Sequence, residues 1–280
     1  MKTMQNLIFA IFFIVCAFPA LTWADEVEEI RCLSCHKEVK EAYSKTRHGL
    51  SFGLEGGSGC ANCHGDGKEH LDAVDREDKD LKIENFSKPS AEASKKCLAC
   101  HERGETLFWK GSTHSLSGVS CFSCHKVHSA TRVSGTDICL NCHQDKRAQI
   151  LKSSHMPVRE GKMTCSGCHN PHGSIGPKML KTPSVNETCY SCHSEKRGPF
   201  LWEHAVVRES CANCHDPHGS NNPGLLKSKG PFLCTQCHQY GGHVNMPRYN
   251  RASAAYGKGC INCHTRIHGS NHPSGAKFTR

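Results

Sequence analysis

Two cysteines three positions apart, with a histidine directly after the second, recur along this chain. The triplets are Cys32/Cys35/His36, Cys60/Cys63/His64, Cys97/Cys100/His101, Cys121/Cys124/His125 and Cys139/Cys142/His143. Five more follow at Cys165/Cys168/His169, Cys189/Cys192/His193, Cys211/Cys214/His215, Cys234/Cys237/His238 and Cys260/Cys263/His264. These ten motifs use every cysteine except Cys16, whereas chance at this composition would supply about 0.1 such motif. The spacing suits one reaction. Each thiol can add across one vinyl group of a haem, and the next imidazole then meets the iron from the same side. Zinc knuckles also use Cys-x-x-Cys, and an exported cysteine-rich chain can be a disulfide scaffold. Neither requires a histidine after every second cysteine. The expected cofactor is therefore haem c, ten copies covalently attached, with the ten motif histidines as proximal ligands.

The other eleven histidines decide what such irons could do. Taking the motifs in successive pairs, each pair carries one histidine between its motifs and one just after the second. They are His48 and His70, His114 and His128, His155 and His172, His204 and His218, and His243 and His268. Ten irons thus have ten distal candidates, with His272 left over as the possible replacement for His268. Apart from the first 24 residues, the methionines are Met156, Met163, Met179 and Met246, too few to be the sixth ligands. Bis-histidine ligation is the expectation, and it lowers the reduction potential relative to His/Met haems. An iron with both axial positions filled cannot take a substrate, so the pattern favours electron transfer over catalysis and assigns no catalytic residue. His125 and His128, His169 and His172, and His215 and His218 are three residues apart and cannot serve opposite faces of one iron. Each such segment spans at most about 10–11 Å and should hold two irons close together, giving a continuous array.

The elements that must position these groups are short. Only 37% of the 280 residues are apolar and 7% aromatic, against 25 Gly and 12 Pro. Such a chain cannot offset its ordering entropy, about 1–2 kcal/mol per residue, by aliphatic packing alone. The porphyrins would be the core. The expected fold is a multihaem cytochrome c, mostly coil with short α-helices and little or no sheet, its core a chain of ten haems. Segments such as Asn170-Pro171-His172-Gly173-Ser174 and Asp216-Pro217-His218-Gly219-Ser220 are turn sequences. The charged interval Gly65 to Asn85 is predicted to be a solvated helix or loop.

At the N-terminus, Lys2, an apolar run from Leu7 to Leu21 and Thr22-Trp23-Ala24 compose a signal peptide over residues 1–24. The run is shorter than the roughly 20 residues that span a bilayer, and no later segment could cross as a helix. Residues 25–280 then form one decahaem domain of five successive two-haem units. Without the signal the formal charge is +8, and twenty propionates would carry the total to about −12 if all ionise. The basic pI is thus no argument for nucleic-acid binding; the cations are expected to balance propionates.

Further segments narrow the class. The run from Arg197 to His204 (Arg-Gly-Pro-Phe-Leu-Trp-Glu-His), the Pro-His-Gly-Ser repeats and the terminal Ile267-His268-Gly269-Ser270-Asn271-His272-Pro273 resemble the MtrA/DmsE-type decahaem cytochromes. That resemblance covers the whole mature chain. It implies a periplasmic haem wire threaded into an outer-membrane β-barrel, exchanging electrons with outer-surface or periplasmic redox proteins. The competing expectations are a soluble periplasmic carrier feeding a terminal reductase, a multihaem oxidoreductase, and a filament-forming extracellular cytochrome.

Overall fold

The computed structural model describes residues 32–52, 59–78, 83, 86, 90–130, 133, 135–238 and 259–279. The predicted signal peptide and the distal candidate His243 lie outside the described residues. The chain packs as two units, one formed by Met1–Ala99 with Ser120–Arg132 and the other by Cys100–Val119 with Val133–Arg280.

Among the described residues the structure is short α-helices, 3₁₀ turns and coil, with no strand longer than an isolated bridge. This is the multihaem cytochrome c architecture expected from the composition. Apolar packing is correspondingly thin. In the first unit Tyr43, Leu71, Ala73 and Leu98 are the buried apolar side chains, and in the second Trp109, Leu140 and Leu180. Large apolar side chains instead stand exposed beside the motif cysteines and lone histidines: Phe52, Leu116, Phe232 and Ile261. A face that no protein atom covers needs another apolar partner.

Helix starts follow local capping chemistry. Ser90, Ser112 and Ser184 adopt extended backbone and accept from Ala93, Ser115 and Glu187 N–H, opening the helices Ala91–Leu98, Thr113–Leu116 and Val185–Tyr190. In the first unit Thr46 links the helices Lys37–Ser44 and Arg47–Phe52: its Oγ1 donates to Tyr43 O at 2.7 Å and accepts from Gly49 N. The interval predicted to be a solvated helix or loop contains the helix Lys68–Asp75, which buries Leu71 and Ala73 and exposes its charges.

The second unit repeats one arrangement. His169 bridges Leu180, and His215 bridges Leu226 in the next repeat; Ser154 bridges Ser220, and Trp202 bridges Ser270. Glycines follow His172, His218 and His268 and permit close approach of other segments. A Cβ at Gly219, whose φ is +145°, would stand 2.0 Å from Gln149 O. At Gly173, with φ +108°, it would meet Phe108 O at 2.4 Å. No L side chain fits either position.

Candidate haem sites

In nine of the ten motifs the histidine N–H bonds the carbonyl of the first cysteine at 2.9–3.0 Å, so Cys-x-x-Cys-His closes one helical turn. That turn places both sulfurs and the imidazole along one side of the backbone. The flanking conformations differ by position. The first cysteines of the third, fifth, seventh and ninth motifs lie inside the α-helices Ala91–Leu98, Asp137–Leu140, Val185–Tyr190 and Gly230–Thr235. Those of the fourth, sixth, eighth and tenth begin 3₁₀ turns at Cys121–Ser123, Cys165–Gly167, Cys211–Asn213 and Cys260–Asn262.

Paired motifs meet through their first cysteines. A hydrogen bond from Cys121, followed by burial, raises the Cys97 thiol pKa. Burial, then Cys211, pushes Cys189 up to about 12, and burial, then Cys260, pushes Cys234 up to about 11. Burial also raises Cys168 and Cys214, with neighbouring Cys192 and Cys237 adding to it. The attachment points from the sixth to the tenth motif therefore follow one another without a break. No disulfide joins the described cysteines, and no three His, Cys, Asp or Glu side chains among the described residues converge as a zinc site would require.

The predicted attachment atoms are not equally covered by protein. All ten first cysteines are half-buried. The second cysteines are mostly open: Cys35, Cys100, Cys124, Cys142, Cys192, Cys237 and Cys263 are exposed. Cys63, Cys168 and Cys214 are half-buried, and Cys63 is close enough to Cys97 to add to the rise of that thiol's pKa. Cys35, Cys142 and Cys263 stand open to solvent, with Ser34 Oγ 3.8 Å from Cys35 Sγ. A porphyrin edge is the cover that a thioether at such a place would have.

Polar side chains hold the paired turns together. Asn186, three residues before Cys189, is buried; it accepts from Cys211 N at 2.7 Å and donates to Val207 O and Arg208 O at 3.0 Å. Ser94, three residues before Cys97, accepts from Cys121 N at 3.4 Å.

Opposite the motif histidines stand lone histidines. The ring centres of His36 and His70 are 6.4 Å apart, and those of His64 and His128 are 5.9 Å apart, both in the first unit. In the second unit the separations are 6.1 Å for His143 and His114 and for His169 and His218, 6.2 Å for His215 and His268, and 6.0 Å for His238 and His204. Two imidazoles on opposite faces of one metal should stand roughly 6 Å apart, given a metal–nitrogen bond of about 2.0–2.1 Å as at zinc. Every one of the six pairs joins a motif histidine to a non-motif histidine. The residues fit haem iron.

The rings are also set electrically and by hydrogen bonds. Burial lowers the pKa of His128, with His64 adding to it; burial and then Lys146 lower His218, and burial and then Lys196 lower His268. All three are held toward the neutral imidazole, the form that coordinates a metal. Nδ1 of His169, His215 and His264 donates to Lys178 O at 3.0 Å, Gly224 O at 2.7 Å and Lys277 O at 2.6 Å. Nδ1 of His114 and His204 donates to Pro171 O at 2.8 Å and Ile267 O at 3.0 Å. Such bonds fix the tautomer and aim Nε2 outward. These carbonyls carry no signature in sequence, because any residue type could supply them.

The other expected ligands make different contacts. Among the motif histidines, His101, His125, His193 and His264 stand outside the six opposed pairs. His101 is exposed, just past the helix Ala91–Leu98, and its main-chain carbonyl accepts from Thr106 Oγ1 at 2.5 Å. Among the distal candidates, His155 Nδ1 donates to Lys152 O at 2.8 Å and its Nε2 bonds Glu160 at 3.1 Å, which raises the His155 pKa. His48 stacks on Phe52 at 5.9 Å, and His172 lies 6.3 Å from the Trp109 ring. His272 is held by Ser274 Oγ at 2.8 Å, while His268 is the one that faces His215.

The sequence is also similar to known proteins. The chain is 41% identical over 272 residues to the multihaem cytochrome MtrA of Shewanella baltica, covering 89% of this chain and 80% of that one. It belongs to the MtrA family of multihaem c-type cytochromes. The doubled CXXCH motif family matches residues 155–198 and 204–242, and the NrfB-like cytochrome c-type family matches 60–136. More distant similarity reaches a high-molecular-weight cytochrome c of Nitratidesulfovibrio vulgaris, at 26% identity over 56% of this chain and 28% of that one. The polyhaem cytochrome OmcB of Geobacter sulfurreducens is 24% identical over 60% of this chain and 25% of its own length. Haem c is thus this family member's covalent cofactor, and electron transfer its role. Among the described residues no helix is long and apolar enough to cross a membrane.

Proposed function

We propose that the chain carries ten bis-histidine haems in an unbroken array. In this reading it works in the periplasm as the wire of a porin–cytochrome conduit, passing electrons between periplasm and cell exterior. The observation that carries the reading is the set of six opposed histidine pairs. They obey one register. A histidine lying between two motifs faces the motif after the second of them, as His114 faces His143 and His204 faces His238. A histidine following a motif faces the motif two before it, as His128 faces His64, His218 faces His169 and His268 faces His215. His70, with no earlier motif to reach, turns to His36. The same register assigns His155 to His193, its ring leaving Glu160 for the iron. The exposed sulfurs of Cys35, Cys142 and Cys263, the half-buried sulfur of Cys63 and the imidazole of His101 keep their proposed roles on the strength of the motif alone.

Haem iron, when bound, supplies one-electron exchange without a substrate. The chain's residues do the rest. Five of the six opposed histidine pairs join different motif pairs and would tie them together. An anchored ring such as His169 and its opposite number His218, held toward the neutral form, would hold haem iron between them and leave no place for a reagent. That supports a conductor rather than an enzyme. The resemblance to MtrA, together with the expected signal peptide, supports a barrel as partner and the outer membrane as destination. Detergent purification of the native complex tests this. Stoichiometric recovery with an outer-membrane barrel is the expected result. Complete release with soluble periplasmic protein, and no barrel, would replace the conduit with a diffusing carrier.

A further inference from the structure

We infer that His70 gives the haem of the Cys32/Cys35/His36 motif a higher reduction potential than the anchored haems of the second unit, making this end of the chain the site where an electron comes to rest. The inference rests on the axial-ligand assignment proposed above. It starts from one orphaned atom. His70 Nδ1 is buried and has no hydrogen-bond partner, and the ring of its opposite number, exposed His36, makes no hydrogen bond among the described residues. In the second unit each of the four opposed pairs has one ring anchored through Nδ1. His169 and His215, on the motif side, and His114 and His204, on the distal side, each donate Nδ1–H to a main-chain carbonyl at 2.7–3.0 Å.

That bond matters at the iron. A carbonyl accepting the Nδ1 proton gives the imidazole partial imidazolate character, strengthens donation from Nε2 and so favours the ferric state. An imidazole without it is the poorer donor, and the equilibrium moves toward the ferrous state. Water cannot substitute for the carbonyl at His70, because Nδ1 is sealed from solvent. Local charge does not reverse the order. Lys37 and Lys40 offset Glu38 and Glu41 on one helix; on the other Lys68 pairs with half-buried Asp72 at 3.7 Å, and the remaining acids, Glu69 and Asp75, are exposed, where salt screens them. The missing bond acts through the ligand itself.

The test uses the complete holoprotein. His70→Ala identifies the haem, because one low-spin signal should become high-spin in electron paramagnetic resonance while the covalent haem number is unchanged. His218→Ala identifies the His169 haem in the same way. In a reductive titration of the unmutated protein the first of these signals should vanish ahead of the second by at least tenfold in the reduction equilibrium, which is 59 mV for one electron. Loss of the two signals together, or in the opposite order, would overturn the inference while leaving the ligand map intact. If His70→Ala removes no low-spin signal, the ligand map fails at this position and the inference with it. Should His70→Ala not assemble, His70→Met keeps an axial ligand; a sulfur-to-iron charge-transfer band then marks the same haem, and its absence counts against His70 as the ligand.

Discussion

Ser94 and Asn186 occupy the same place in two repeats, three residues before the first cysteine of an odd-numbered motif, yet they hold the next motif unequally. Ser94 offers the Cys121 N–H one long bond, 3.4 Å. Asn186 takes the Cys211 N–H at 2.7 Å and donates twice more into the segment that leads to it. The histidines show a parallel contrast. In the second unit each opposed pair has one ring anchored to a carbonyl, whereas in the first neither His70 nor its opposite number His36 makes such a bond among the described residues. One motif repeat can thus be built stiffly or loosely without altering the cysteines and histidines that define it. The difference lies in which polar groups surround the ligands.

Removing a covalent attachment should have the largest effect. Cys211→Ala with Cys214→Ala is expected to lower the haem number by one, read by intact mass. Next come the distal ligands. His128→Ala and His218→Ala should each leave one high-spin haem with the covalent number unchanged, at His64 and His169 respectively. Loss of a covalent haem in either variant would show that its histidine had been misassigned.

Backbone substitutions should separate the units more finely. Gly219→Ala forces a Cβ onto Gln149 O at a φ of +145° and is expected to cost about 3 kcal/mol in thermal unfolding. Gly65→Ala in the first unit meets nothing within 4 Å at a φ of +75° and should cost about 1–2 kcal/mol, the left-handed conformation alone. The smallest expected effect distinguishes the two ties. Asn186→Ala strands a buried N–H and should cost about 1–3 kcal/mol, while Ser94→Ala should cost less than about 1 kcal/mol. Equal losses, measured by amide exchange at Cys121 and Cys211, would remove the contrast.

Much of the site was legible before any fold. The motif spacing announces haem attachment, and the alternation of lone histidines announces enough sixth ligands. The poverty of apolar residues announces a core made of something other than side chains; among the described residues Leu71, Leu98, Trp109 and four others are the buried apolar side chains. Coverage was not legible: the motif treats its two cysteines alike, yet Cys35, Cys142 and Cys263 are exposed while their first-position partners are half-buried. His101 is exposed as well, although its triplet reads like the others. Nor was it legible which lone histidine meets which motif. His128 lies three residues from His125 but faces His64, a distance in sequence that no local pattern encodes. His155 shows the limit from the other side: Glu160 follows it at the same spacing as Glu209 follows His204, yet His155 bonds its acid whereas His204 faces His238.

Covalent chemistry is local. Two thiols and an imidazole within five residues specify a haem wherever the chain goes, and so the amino-acid order alone determined the cofactor, the attachment atoms and the family. The pairing register, the choice of His268 over His272, and the carbonyls that aim each ring depend on groups brought together from tens of residues away. Main-chain oxygens are the same in every residue, so only folding could select which of them would accept a histidine proton, and which histidine would be left without one.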